Sequence, residues 1–270
     1  MKRIIFPAAV LLIAGVSLLP FLWFVTTSWK SAIEISAIPP VLWPSFHWEH
    51  YQAALWQHGL VRYIANSAIV AGATTLVSIV IASLAAYALA RFKLRWANYY
   101  LLLLLALSMF PQIAIAGPVW RLLSGLGWLN SYHGIIAAYI AFSLPFATWV
   151  LTTFFKELPY DIEEAALIDG CSRWQALRLV VFPLAAPGVF TAALLVFIHA
   201  WNEFFFALII LTYPAVQTLP VGIALFPGEY TMPWGEIAAA STIATLPLIA
   251  LTVIFQRRIV QGLSAGAVKG

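Results

Sequence analysis

Charge is scarce in this sequence. Of 270 residues, 14 are Lys or Arg and 10 are Asp or Glu, 9% in all, where a soluble domain carries roughly a quarter. With 63% hydrophobic residues and a mean hydropathy of +0.94, this scarcity excludes an ordinary water-soluble core. Cysteine is nearly absent too. Cys171 stands alone, so no disulfide within the chain can form. A third absence is the phosphate-cradling pattern G-x-x-x-x-G-K-[ST], which occurs nowhere in the chain and whose lack argues against a nucleotide site of that kind.

What the chain has in abundance is long apolar runs. About 20 apolar residues cross a bilayer as a helix, and the pattern predicts six crossings near Ile4 to Ser28, Ile64 to Ala90, Trp96 to Ile115, Gly134 to Phe155, Gly188 to Leu211 and Ile237 to Gln256. The first has Lys2 and Arg3 ahead of it, as a secretory signal would. Its length and its Phe21-Leu22-Trp23-Phe24 end read instead as a retained anchor, since a signal's apolar region is only about 7–15 residues. The stretch from Phe204 to Gly228 is broken by Pro214, Pro220, Gly222 and Pro227; its first residues are expected to complete the helix begun near Gly188. The whole chain reads as one all-α membrane domain.

Basic residues orient such a domain, because they accumulate on the cytoplasmic side. With the N-terminus inside, eleven of the fourteen fall in inner segments and only Lys30, Arg62 and Arg121 in outer ones. Both termini are therefore expected in the cytoplasm, and the net charge of +4 reflects this bias rather than affinity for nucleic acid.

The scarce charge is crowded. Lys156, Glu157, Asp161, Glu163, Glu164, Asp169, Arg173 and Arg178 place eight charges between residues 156 and 178. Asp161 followed by Glu164, and Ser172 followed by Gln175, suit two helix N-termini, the second with the S-x-x-Q form of a capping box. Gly170 between them suits the left-handed residue that ends a helix. Ile162, Ala165, Ala166 and Asp169 recur at i, i+3, i+4 and i+7 and are expected to share one face. A solvated loop helix is the plain alternative.

Glu164-Ala165-Ala166, with Gly170 following and Pro183 at the far end, resembles the EAA loop of inner-membrane permease subunits of ABC importers. Further motifs point to the carbohydrate branch, similar to maltose- and trehalose-type permeases: Asn66-Ser67, Ala86-Tyr87-Ala88-Leu89-Ala90-Arg91-Phe92, Ala200-Trp201-Asn202-Glu203-Phe204 and the end from Gln256 to Gly270. Val180 and Phe182 stand where the family's pattern has Ile and Leu ahead of the Pro; both are apolar. The resemblance implies a six-helix type I importer permease in the cell membrane, with an EAA coupling loop over residues 156–187 and an extracytoplasmic loop over 212–235. It implies that Glu164, Ala165, Ala166, Asp169, Gly170 and Pro183 meet a cytoplasmic ATPase, two copies of which bind the ATP and Mg, with no cofactor in this chain. The other implied partners are a second, homologous permease subunit forming a heterodimer, an extracytoplasmic sugar-binding protein and membrane lipid. By the same resemblance Gly228, Glu229 and Tyr230 contact the binding protein or sugar, and the tail with Gly266 and Lys269 lies along the ATPase dimer.

Glu203 is the clearest ionisable residue within an expected span, and such residues default to function because their desolvation is costly. With Asn202 it is expected to line the translocation path or a gate, or to make a polar contact between helices. His199 and Glu203 have metal-ligand spacing, but two ligands are too few for a zinc site. Gly262-Leu263-Ser264-Ala265-Gly266 spells G-x-S-x-G, yet it follows a membrane helix and lacks acid and His partners after it, so no catalytic residue is assigned. A secondary transporter built on an intramembrane Glu is the alternative, but it leaves the charged loop unexplained.

Overall fold

A computed structural model describes residues 2–92, 94–227 and 232–265, with side chains described from 6 to 256 within those limits. Among the described residues the secondary structure is entirely helical. The chain divides into two compact units, Met1–Ile64 with Leu219–Ala250 and Ala65–Thr218 with Leu251–Gly270.

The first unit opens with α1 (Lys2–Thr27). The most apolar stretch of α1 is unburied by protein, as suits a surface whose solvent is lipid, and its prolines Pro7 and Pro20 are tolerated as they are in membrane helices generally. After α1 comes α2 (Ala32–Ser36), which Ser31 starts with a complete capping box: its hydroxyl accepts the Glu34 N–H and its own N–H donates to the Glu34 carboxylate. Then follow α3 (Glu49–Gln52), which runs on into a π-helical turn over Ala53–Gln57, and α4 (Leu60–Arg91), whose first turn belongs to this unit. His58 bonds Glu236 and stacks on Phe226 at 4.4 Å.

The second unit contains most of α4, then α5 (Ala97–Ser108), α6 (Gln112–Gly125), α7 (Tyr132–Glu157), α8 (Tyr160–Ile168) and α9 (Arg173–Ala176). A π-helical turn over Leu177–Val181 leads to α10 (Phe182–Leu184), α11 (Ala186–Asn202) and α12 (Phe205–Ile210). Beyond lie α13 (Leu219–Ala224) and α14 (Trp234–Ala265), which begin in the first unit. The core of the second unit joins α4, α7, α11 and the π-helical turn through Ala82, Ala86, Ala147, Leu151, Val181 and Ala192. Small residues let helix backbones approach closely where lipid offers no hydrophobic drive. Gly188 marks one close approach, since a Cβ there would meet Cγ of Phe154 at 2.3 Å.

Among the described residues, four helices are long and apolar enough to cross a membrane unaided: Phe6–Thr27, Leu60–Arg91, Tyr132–Glu157 and Trp234–Gln256. The expected third and fifth spans are not single rods. The third is α5 and α6 meeting at 90°, because Pro111 has no N–H to carry α5 forward and instead caps α6. The run of α9, its π-helical turn and α10 meets α11 at 78°, and α11 stops at Asn202 rather than continuing to Leu211. Six spans result only if each bent pair counts as one.

Candidate functional site

The charged stretch begins where α7 ends. Leu158 precedes a proline, which forces it out of the helical region, and it is extended at φ −72°, ψ 132°. Pro159 then caps α8, so Asp161 is not the N-cap but sits with Glu163 in the first turn, where acids are favoured by the helix dipole. The far end closes as a Schellman motif. Gly170 N–H donates to Leu167 O (3.2 Å) and Cys171 N–H to Ala166 O (3.0 Å), with Gly170 at φ +90°. The backbone makes this turn; the Asp169 N–H donates to Ala165 O at 2.9 Å. Two residues on, Ser172 and Gln175 form both halves of the expected capping box.

At 100° per residue α8 divides cleanly. Glu163, Ala166 and Leu167 turn inward, while Ile162, Glu164, Ala165, Ile168 and Asp169 turn out. Ala166 therefore does not share the outward face of Ala165, contrary to the spacing argument, because Glu163 fixes the helix rotation. Glu163 is 1% exposed. Its Oε1 accepts the Tyr87 hydroxyl at 2.5 Å and its Oε2 lies 3.0 Å from Arg91 Nε. That ion pair is Coulombic rather than a directed hydrogen bond, since both atoms lack a hydrogen-bond partner. The guanidinium's Nη2 donates to Leu158 O at 3.1 Å and its Cζ stands 5.8 Å from the Tyr160 ring centre. One buried acid thus ties α8 to the end of α4, while Ile168 is left 81% exposed. Glu163, Arg91 and Tyr87 are the residues that the spacing argument did not single out. The available signal was an acid at the helix N-terminus together with an Arg closing a span assigned to the same side. Pro183 sits in α10 just past the π-helical turn, whose wider bonding accommodates the missing N–H.

Glu203 occupies the break between α11 and α12. It is extended (φ −68°, ψ 125°) and 8% exposed. Its Oε1 accepts Phe206 N–H (2.8 Å); its Oε2 accepts Ala207 N–H (3.1 Å) and the Tyr139 hydroxyl (2.5 Å). The carboxylate therefore caps α12 in place of Phe204, which has no polar side chain, and ties it to α7. Asn202 beside it is exposed, donating from Nδ2 to Ile198 O at 2.8 Å. The segment after α12 is pinned from two sides. Asn66 donates to Ala215 O (3.1 Å) and Gln217 O (2.8 Å) while accepting the Tyr132 hydroxyl (2.7 Å), and Asn130 Oδ1 accepts Thr212 Oγ1 (3.0 Å) and Tyr213 N–H (2.9 Å). Gly228, Glu229, Tyr230, Gly266 and Lys269 lie outside the described residues.

Helices of spanning length, interrupted at two bends, with a short amphipathic helix clamped at the end of α4, define a polytopic helical membrane protein. Residues 50–265 match the family described as binding-protein-dependent transport system inner membrane component, and the chain belongs to that family. Membership decides against the secondary-transporter alternative.

Among its relatives, a trehalose/maltose transport system permease protein of Thermococcus litoralis is 42% identical, covering 100% of this chain and 98% of the relative. A sulfoquinovosyl glycerol transport system permease protein of Agrobacterium fabrum is 43% identical, covering 97% and 92%. A trehalose transport system permease protein of Mycobacterium tuberculosis is 39% identical, covering 96% and 95%. The fold is that of a solved bacterial ABC transporter involved in the import of the acidic polysaccharide alginate, with a TM-score of 0.79 at 22% identity over 95% of this chain and 96% of that one.

Proposed function

We propose that this chain is the permease subunit of an ATP-driven, binding-protein-dependent importer of a di- or oligosaccharide such as trehalose or maltose. It pairs with a second, homologous permease subunit, receives sugar from an extracytoplasmic binding protein, and takes its drive from two copies of a cytoplasmic ATPase that bind the ATP and Mg. Both termini face the cytoplasm in this reading. Two of the relatives carry trehalose in their names, which supports the substrate class.

The observation that carries the coupling role is the division of α8. Its inner face is held to the end of α4 by its own buried acid, Glu163, and its outer face offers Glu164, Ala165, Ile168 and Asp169. An isoleucine left in water at the polar end of a membrane protein is better explained by a partner's groove than by solvation, because burying it is worth about 1.5–3 kcal/mol. Gly170 fixes where the chain turns back from that groove. Asn202 and Glu203 stand at the α11–α12 break, and we assign them to the gate; we assign Gly228, Glu229 and Tyr230 to the contact with the binding protein or sugar. The tail with Gly266 and Lys269 is assigned to the ATPase dimer.

A detergent pull-down of the tagged chain from its native membrane tests this. Wild type is expected to recover an ATPase and a second permease, whereas Glu164→Lys loses the ATPase and keeps the permease. A Cβ at Gly170 would meet no neighbouring atom within 4 Å, so Gly170→Val acts through the backbone, about 1–3 kcal/mol for a left-handed non-glycine residue. It should lower sugar uptake per ATP hydrolysed, with Gly170→Asn milder. Full uptake and full ATPase recovery in both Glu164→Lys and Gly170→Val would sink the coupling assignment.

A further inference from the structure

A cavity of about 420 Å³ opens in the first unit between the end of α1, α2 and the start of α14. Its size falls in the range of small-ligand sites, about 300–1,000 Å³. Trp23, Phe24, Ile35 and Trp234 make it largely apolar, and Thr27, Lys30 and Glu34 add three polar groups.

Two of those groups lack partners. Lys30 is 2% exposed, yet among the described residues its ammonium makes no hydrogen bond or ion pair and rests only on the Trp23 ring, 3.9 Å from its centre. The Thr27 hydroxyl oxygen is buried and has no hydrogen-bond partner. A buried cation and a buried hydroxyl without partners are costly, and both border the same cavity. They call for an acceptor-rich, anionic group.

In the same lining Glu34 supplies the opposite charge. The Ser45 hydroxyl donates to it at 2.6 Å and the Ser31 N–H at 2.8 Å, and together they hold its carboxyl below the usual carboxylate range. A ligand that satisfies both charges carries a negative and a positive group together with an apolar body. The place narrows it further. The cavity lies at the end of a membrane-length apolar helix and is walled by Trp23 and Trp234, the residue type that gathers at headgroup level.

We propose that this cavity is a binding site for an aminophospholipid, with the phosphate on Lys30 and Thr27 and the primary ammonium toward Glu34. A choline headgroup has no N–H to donate to Glu34, and a glycerol headgroup has no cation. The bound lipid fastens α1 to α14 from the inside of the first unit. This site is independent of which sugar the importer carries.

The test is lipid retention by the full importer in nanodiscs containing equal parts phosphatidylethanolamine, phosphatidylcholine and phosphatidylglycerol, re-extracted and read by native mass spectrometry. Wild type and Lys30→Arg are expected to retain phosphatidylethanolamine about tenfold over either of the other two lipids, the effect of one charge-assisted hydrogen bond. Lys30→Met should fall to the bulk composition, and Glu34→Gln should bind the ethanolamine and choline lipids equally. If Lys30→Met fails to assemble, Thr27→Val carries the comparison with a smaller loss. Wild-type retention unchanged in Lys30→Met or, where that variant does not assemble, in Thr27→Val overturns the proposal, as does preference for phosphatidylglycerol or no retained lipid in wild type.

Discussion

Arg91→Met destabilises this chain by about 3–5 kcal/mol, and adding Glu163→Met recovers most of the loss. The expectation rests on the asymmetry of buried charge: removing one partner strands the other without compensation, while replacing both with apolar groups of similar volume is close to neutral. Glu163 is the more buried of the two, at 1% side-chain exposure against 5% for Arg91, so Arg91→Met leaves the carboxylate with only the Tyr87 hydroxyl. The backbone also suffers, because Leu158 O loses the guanidinium at the point where α7 gives way to α8. Unfolding in mixed micelles with denaturing detergent reads the three variants as a double-mutant cycle. A coupling energy near zero would show that the pair contributes nothing to stability.

The double variant separates stability from transmission. It keeps α8 packed through Ala166 and Leu167 but removes the charged tie to α4. Under the proposed coupling role it should bind the ATPase as wild type does and import less sugar per ATP. Equal coupling in the double variant and wild type would assign the ion pair to folding alone.

The local turn chemistry was legible before any coordinates. Gly170 is left-handed as its place between two helix starts requires, and Ser172 with Gln175 forms the expected box; both follow from atoms within three residues. Burial of Glu163 was not legible, because it depends on a residue 72 positions earlier, Arg91, meeting it in space. Spacing alone grouped Ala165 with Ala166 because adjacent positions 100° apart can fall on either side of a face boundary; only a tertiary contact decides which.

The spans divide in the same way. Apolar length located α1, α4, α7 and the start of α14 to within a few residues, while α14 runs on to Ala265. Composition could not register that α5 and α6 turn through 90°, since an apolar run reads the same straight or bent. Pro111 was visible, but proline also stands inside α1, α7 and α14 without ending them. What distinguishes Pro111 is that the residues around it do not restore the helical path.

Glu203→Ala is expected to be the second severe lesion, and its pattern tells capping from conduction. Removal of the carboxylate leaves the Phe206 and Ala207 N–H groups without acceptors and the Tyr139 hydroxyl with only its longer bond to Glu203 O at 3.4 Å, at about 1–3 kcal/mol for each buried group stranded. Tyr139→Phe removes one donor and keeps both backbone bonds, so it should cost about 0.5–1.5 kcal/mol, in the range of one ordinary hydrogen bond. Glu203→Gln retains a carbonyl oxygen for the backbone and should fall between them. If Glu203 serves only to start α12, sugar uptake by Glu203→Gln keeps its half-saturation concentration while the protein unfolds more readily. If the carboxylate also meets sugar as the gate assignment requires, the half-saturation concentration rises even where stability is restored by lipid or by the partner subunit. Uptake titrations in proteoliposomes beside unfolding of the same preparations read both quantities. Asn202→Ala is the companion measurement, because its side chain is exposed and bonded only to the preceding turn. It should leave stability within about 0.5 kcal/mol, as a surface change does, so any rise in half-saturation there reports contact with the transported molecule.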